Sequence, residues 1–109
     1  MENQTVTEWL VENKVSEEDI NFIETVLTFT TSIKRLPDRQ KMINERLQSL
    51  FPNKNAVIKS DLTYQQFVYI LRENGIEANP GELLNKYYLQ GVCVDLCDEW
   101  LNQKKTSYF

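Results

Sequence analysis

Cys93 and Cys97 are the only cysteines of the chain and stand four residues apart. On a shared helix that spacing puts both thiols on one face, one turn apart, where a disulfide would distort the helix. A zinc centre needs two more soft ligands, and the sequence has no further cysteine and no histidine. The pair therefore reads as two small buried hydrophobes, and a reducing cytoplasm follows as the expected location. The lack of histidine also removes the commonest general base and metal ligand. Asp95, Asp98 and Glu99 have the spacing of a solvated helix face. The glycines at 75, 81 and 91 stand apart and make no phosphate-cradling loop, and Ser16 and Ser60 look like caps rather than nucleophiles. No catalytic, cofactor or metal residue is assigned, and the chain is expected not to be an enzyme.

Charge is the more informative feature. The net charge is −4, but residues 1–33 hold seven acids and one base, whereas residues 34–59 hold seven bases and two acids. Lys34, Arg35, Arg39, Lys41 and Arg46 form a basic strip. If the third helix starts early, Arg35, Arg39 and Arg46 share its solvent side. Such a strip can hold phosphates, dock an acidic partner, pair with the acids of residues 17–24, or remain a solvated face. The pI of about 4.8 argues against a free-standing DNA binder.

The elements that must carry these groups are helical. With 109 residues, 41% of them hydrophobic and 11% aromatic, the chain fits one domain with a real core. Three glycines and three prolines are too few for a β-rich protein. No apolar run reaches membrane-spanning length, and Met1-Glu2-Asn3-Gln4 lacks the character of a signal peptide.

Thr5 and Glu8 have capping-box spacing and open a helix over 5–13, with Trp9 expected as its anchor in the core. Ser16, followed by Glu17, Glu18 and Asp19, caps a second helix. Its apolar arc from Ile20 to Ile33 is broad enough for a central helix touched on several sides. A third helix spans about 38–51, with Met42, Ile43, Leu47, Leu50 and Phe51 at helical spacing. Thr63 and Gln66 open a fourth, in which Tyr64, Phe67, Val68 and Leu71 repeat at i, i+3, i+4 and i+7, and Asn74-Gly75 ends it. Asn79-Pro80 opens a fifth, and residues 92–104 form a sixth. Residues 56–58 and 92–94 could pair as a minimal two-stranded sheet.

The expected fold is thus mainly α. It is a compact five- to six-helix domain over 1–104, with a helix-turn-helix or winged-helix-like core and a frayed tail at 105–109. The helix-turn-helix outline falls on the fourth and fifth helices, whose second member offers Gly81, Glu82, Asn85 and Lys86, little for a phosphate backbone.

The run from Asp61 to Ile76, Asp-Leu-Thr-Tyr-Gln-Gln-Phe-Val-Tyr-Ile-Leu-Arg-Glu-Asn-Gly-Ile, resembles small proteins of Gram-positive mobile elements. It is similar in particular to the small middle proteins in the replication operon of staphylococcal cassette chromosomes. The resemblance covers most of the chain and carries no residue-by-residue role. It implies a non-catalytic accessory protein that binds an A-family DNA polymerase and enables primer synthesis. Tyr87, Tyr88, Tyr108 and Phe109 are expected to meet the partner, and the basic strip to meet the partner or a single-stranded or primer-template DNA. No membrane is expected as a partner. Two rival readings remain. One is a small helix-turn-helix regulator using Asn85 and Lys86. The other is an acidic inhibitor of a host nuclease or defence protein, using Glu17, Glu18 and Asp19.

Overall fold

A computed structural model of the chain describes residues 4–106. Among them are six α-helices and one 3-10 turn: α1 Val6–Glu12, α2 Glu17–Arg35, the turn Pro37–Arg39, α3 Gln40–Leu50, α4 Tyr64–Glu73, α5 Pro80–Leu89 and α6 Val94–Thr106. The domain is mainly α, as its composition requires. α6 runs through Thr106, so Lys105 and Thr106, expected in a frayed tail, belong to a helix.

The starts of the helices follow their local chemistry. Thr5 and Thr63 each accept a hydrogen bond at Oγ1 from the third helical N–H, while Glu8 and Gln66 accept from the cap N–H in return. Ser16 Oγ accepts from Asp19 N–H, and Asn79 Oδ1 accepts from Glu82 N–H ahead of Pro80. Each of these satisfies a donor that the helix itself leaves unpaired.

Three helices end alike. After α1, α4 and α5, residues Lys14, Gly75 and Gly91 adopt positive φ of 65, 70 and 77°. The next residues, Val15, Ile76 and Val92, donate their N–H back to Leu10, Leu71 and Tyr87. This is the Schellman closure, with an apolar residue folded back over the last turn. Glycine takes the left-handed conformation freely, but Lys14 carries a Cβ that opposes it. Lys14→Gly should therefore raise stability by about 0.5–1 kcal/mol, read as a higher denaturation midpoint with an unchanged slope. An unchanged or lower midpoint would show that the lysine stem compensates.

α2 is the central element. Ile20, Phe22, Ile23, Val26, Leu27, Thr30 and Ile33 are all buried, so its apolar arc is as broad as the sequence indicates. Thr30 is the one polar residue of α2 that is fully inside, and its hydroxyl donates to the Val26 carbonyl at 2.6 Å. α3 and the 3-10 turn pack on one side of α2, and α1 lies against both α2 and α5. α5 and α6 form the most closely packed pair, and α4 also packs on α6. The two helices with the helix-turn-helix outline, α4 and α5, thus share α6 as their common neighbour.

Two expectations need correction. No strand occurs among the described residues, so 56–58 and 92–94 do not make a sheet and the winged-helix alternative falls away. The extended segment before α4 is held instead by side-chain amides. Asn44 bonds both the N–H and the carbonyl of Ile58, and Asn74 bonds both groups of Asn55. The second correction concerns Trp9, which is only half-buried, with Lys86 Nζ 5.3 Å from its ring centroid. Val6 and Leu10 anchor α1 instead, because they occupy the turn-spaced positions facing α2 and α5.

Candidate interaction surface on α3

The five basic residues of the expected strip do not act as one group. Lys34, in the last turn of α2, is turned inward. Its Nζ donates to the Ser60 carbonyl at 3.0 Å and pairs with Glu99 Oε2 at 3.2 Å, tying α2 to the approach to α4 and to α6. Arg35, one residue on, is exposed at the end of α2. Arg39 closes the 3-10 turn directly before α3, and Lys41 and Arg46 lie on α3 itself. Because α3 starts at Gln40, Arg35 is not on it and does not share its face.

Helical geometry divides the remainder. Arg39, Met42, Arg46 and Leu50 are spaced 3, 4 and 4 residues apart and lie along one side. Lys41 falls on the other flank, with Glu45 and Gln48. The inner side is held by Leu47, which is buried, with Ile43 and Asn44 partly covered. Along the outer stripe Arg39 and Arg46 are exposed and have no ion pair or hydrogen bond among the described residues. Met42 and Leu50 are 53% and 50% exposed, and Leu36, at the end of α2, is 53% exposed.

Met42 and Leu50 are the residues whose exposure the sequence does not show. Their spacing suits a helix, and by spacing alone they are not distinguished from Ile43 and Leu47. Their own period is eight residues with Arg46 between them, however, and that interval marks a second face. Leu47 alone of the five apolar positions is fully buried; Ile43 and Phe51 are partly so, with Phe51 edge-on to Phe22 at 5.4 Å between centroids.

The aromatic contacts also sort differently. Tyr87 is 1% exposed and cannot meet a partner, because α5 turns it inward with Leu83 and Leu84. Its hydroxyl is buried without a hydrogen-bond partner among the described residues. Burial, and after it the nearby Glu24 carboxylate and the two thiols, holds the phenol well above its ordinary range. Tyr88 is on the flank and exposed. Tyr108 and Phe109 lie outside the described residues.

The cysteines do not share a helix. Cys93 precedes α6 with φ of 48°, and its carbonyl accepts from the N–H of Cys97 at 2.9 Å. Cys97 is fully buried, and its thiol donates to the Val92 carbonyl at 3.6 Å. Burial, with a smaller contribution from Cys93, pushes the Cys97 thiol up from 9.0 to about 12. The unfolded chain therefore releases this proton at a pH where the folded chain still holds it. The stabilisation this thiol contributes is fully present below about pH 9 and is lost as pH rises toward 12, and the raised Tyr87 phenol acts in the same direction. A thiol reagent at pH 8 should label Cys93 first and Cys97 only on unfolding. Equal labelling rates in the folded protein would contradict this burial.

Of the groups behind the rival readings, Lys86 and Asp19 are engaged elsewhere, while Glu17, Glu18 and Asn85 are exposed. Lys86, the only base of α5 and part of its last turn, sits over Trp9. Asp19, of the acidic trio, pairs with Lys54 beneath the end of α3, and Lys54 also lies 6.0 Å from the Phe22 ring centroid. Among the described residues no helix is long and apolar enough to cross a membrane, and no group of three metal-ligating side chains converges. Compared with models of protein families, with curated proteins and with solved structures, the chain matches none.

Proposed function

We propose that this chain is a non-catalytic accessory subunit of mobile-element DNA replication. It works in the cytoplasm and binds its enzyme through the outward stripe of α3. The observation that carries the docking part is that two exposed arginines without an ion pair among the described residues, Arg39 at the N-cap of α3 and Arg46 within it, lie beside two half-exposed apolar residues, Met42 and Leu50, along one side of that helix. Arginine and methionine are enriched in protein interfaces, and buried arginines are among the groups that dominate binding energy. The sequence resemblance supports the identity of the partner as an A-family DNA polymerase that this subunit enables to synthesise primers. Arg35 and Lys41, exposed on either side, would then lie beside the stripe where a primer or template strand could pass.

The test is capture of an A-family DNA polymerase by this chain. R39E/R46E should weaken capture by about tenfold or more and leave the thermal melt unchanged, since both side chains are exposed and neither makes an ion pair or hydrogen bond among the described residues. Undiminished capture would remove α3 from the interface, and no capture by the unmodified chain would remove the polymerase reading itself.

A further inference from the structure

We infer that the partner element received by the α3 stripe is an acidic amphipathic helix rather than a nucleic-acid backbone. The inference rests on the reading of α3 as a docking face and specifies what docks there.

Arg39 and Arg46 are separated by two turns, about 10 Å along the axis, with Met42 between them and Leu50 one turn beyond Arg46. A phosphate backbone laid on this stripe would press charged oxygens against Met42 and Leu50, desolvating both sides without a compensating contact. A helix that carries acids one or two turns apart, with a leucine or similar residue between, satisfies all four positions. Its carboxylates meet the guanidinium forks, which suit bidentate carboxylate pairing, and its apolar residues cover Met42 and Leu50. Methionine adapts its shape to such a surface.

Charge complementarity points the same way. The stripe is a basic island on a chain of net charge −4. The acids of residues 1–33 would repel a long polyanion approaching over the body of the domain, but need not face a short helix on α3. The length fits as well, since α3 has 11 residues, about 16 Å, or three turns of a partner helix.

The experiment titrates the full chain, labelled for amide NMR, with three probes. The first is a synthetic helical peptide of about 15 residues, long enough to reach marginal helicity, with Glu and Leu on one face at i, i+4 and i+7. The second is a scrambled peptide of the same composition, and the third a single-stranded oligonucleotide of 15 thymidines. The patterned peptide should move the amides of Arg39, Met42, Arg46 and Leu50 saturably, and the scrambled peptide should bind at least tenfold more weakly. R39E/R46E should lose the patterned peptide at least tenfold. M42A, which keeps every charge, should lose it several-fold.

Three results would overturn the inference. The first is an oligonucleotide that moves these amides when the peptide does not. The second is concentration-dependent self-association of the chain through this face with no peptide binding. The third is M42A behaving as wild type, which would mean the contact is charge alone. Polymerase capture distinguishes this inference from the reading beneath it. Capture that survives R39E/R46E refutes the helix contact and leaves the accessory role. Patterned-peptide binding without any polymerase capture refutes the accessory role and leaves the helix contact.

Discussion

Trp100→Ala should be the most damaging single change, with an expected loss of about 3–5 kcal/mol. Trp100 is fully buried on α6 and stacks on Phe67 of α4 with ring centroids 4.8 Å apart and planes 25° from parallel. Its indole N–H donates to the Leu62 carbonyl at 2.9 Å, so one side chain holds α6, α4 and the segment leading into α4. Removing it opens a large cavity and leaves a buried carbonyl without its donor, and the two effects fall on the same packed layer. Domains of this size have a total stability of about 5–15 kcal/mol, so the variant should be marginal, with a melting temperature lower by about 15–30 °C. Trp100→Phe separates the contributions. It keeps the stacked ring and loses the hydrogen bond, so it should cost about 1–3 kcal/mol. A melting shift of only a few degrees for the alanine variant would place the core elsewhere.

Asn44→Ala should cost about 1–3 kcal/mol, although its side chain is small and only half-buried. Asn44 Nδ2 donates to the Ile58 carbonyl at 2.8 Å and to the Gln40 carbonyl at 2.9 Å, and Oδ1 accepts from the Ile58 N–H at 2.7 Å. The amide does for the connector what a neighbouring strand would do. Ile58 is 0% exposed, so loss of the amide strands both of its backbone groups beside the core. Asn44→Asp keeps the acceptor and loses the donor, so its effect should be intermediate. The measurement is urea unfolding, in which the midpoint should fall while the slope stays constant. A midpoint unchanged by Asn44→Ala would show that water replaces the amide without penalty.

These two residues illustrate what the sequence could and could not reveal. Helix starts were legible because the capping signal is local. Thr5, Ser16, Thr63 and Asn79 each bond within three residues, and all four cap as their neighbours indicate. The central place of α2 was legible too, because an apolar arc that wide has only one use. The connector was not legible. Ala56-Val57-Ile58 has the composition of a strand, and nothing nearby in sequence says that Asn44, fourteen residues back, supplies its hydrogen bonds.

The interaction surface was legible only in part. A run of bases marked residues 34–46, but charge alone does not separate Lys34, drawn inward by Glu99 and Ser60, from Arg39 and Arg46, which face outward. The apolar half of the surface was hidden because Met42 and Leu50 share a helical period with the core residues. Only the packing of Leu47 against the domain shows which stripe faces in. Tyr87 and Tyr88 show the same limit, since adjacent tyrosines differ by a rotation of about 100°, and that rotation sends one into the core and leaves the other at the surface.

We propose that the outward stripe of α3 joins this chain to a replication enzyme. The most direct measurement is quantitative co-purification of an A-family DNA polymerase with the wild-type chain and with R39E/R46E, at matched expression and matched melting temperature. Stoichiometric capture by the wild type, falling about tenfold or more in the variant, is the result predicted here. Equal capture by both chains would contradict it.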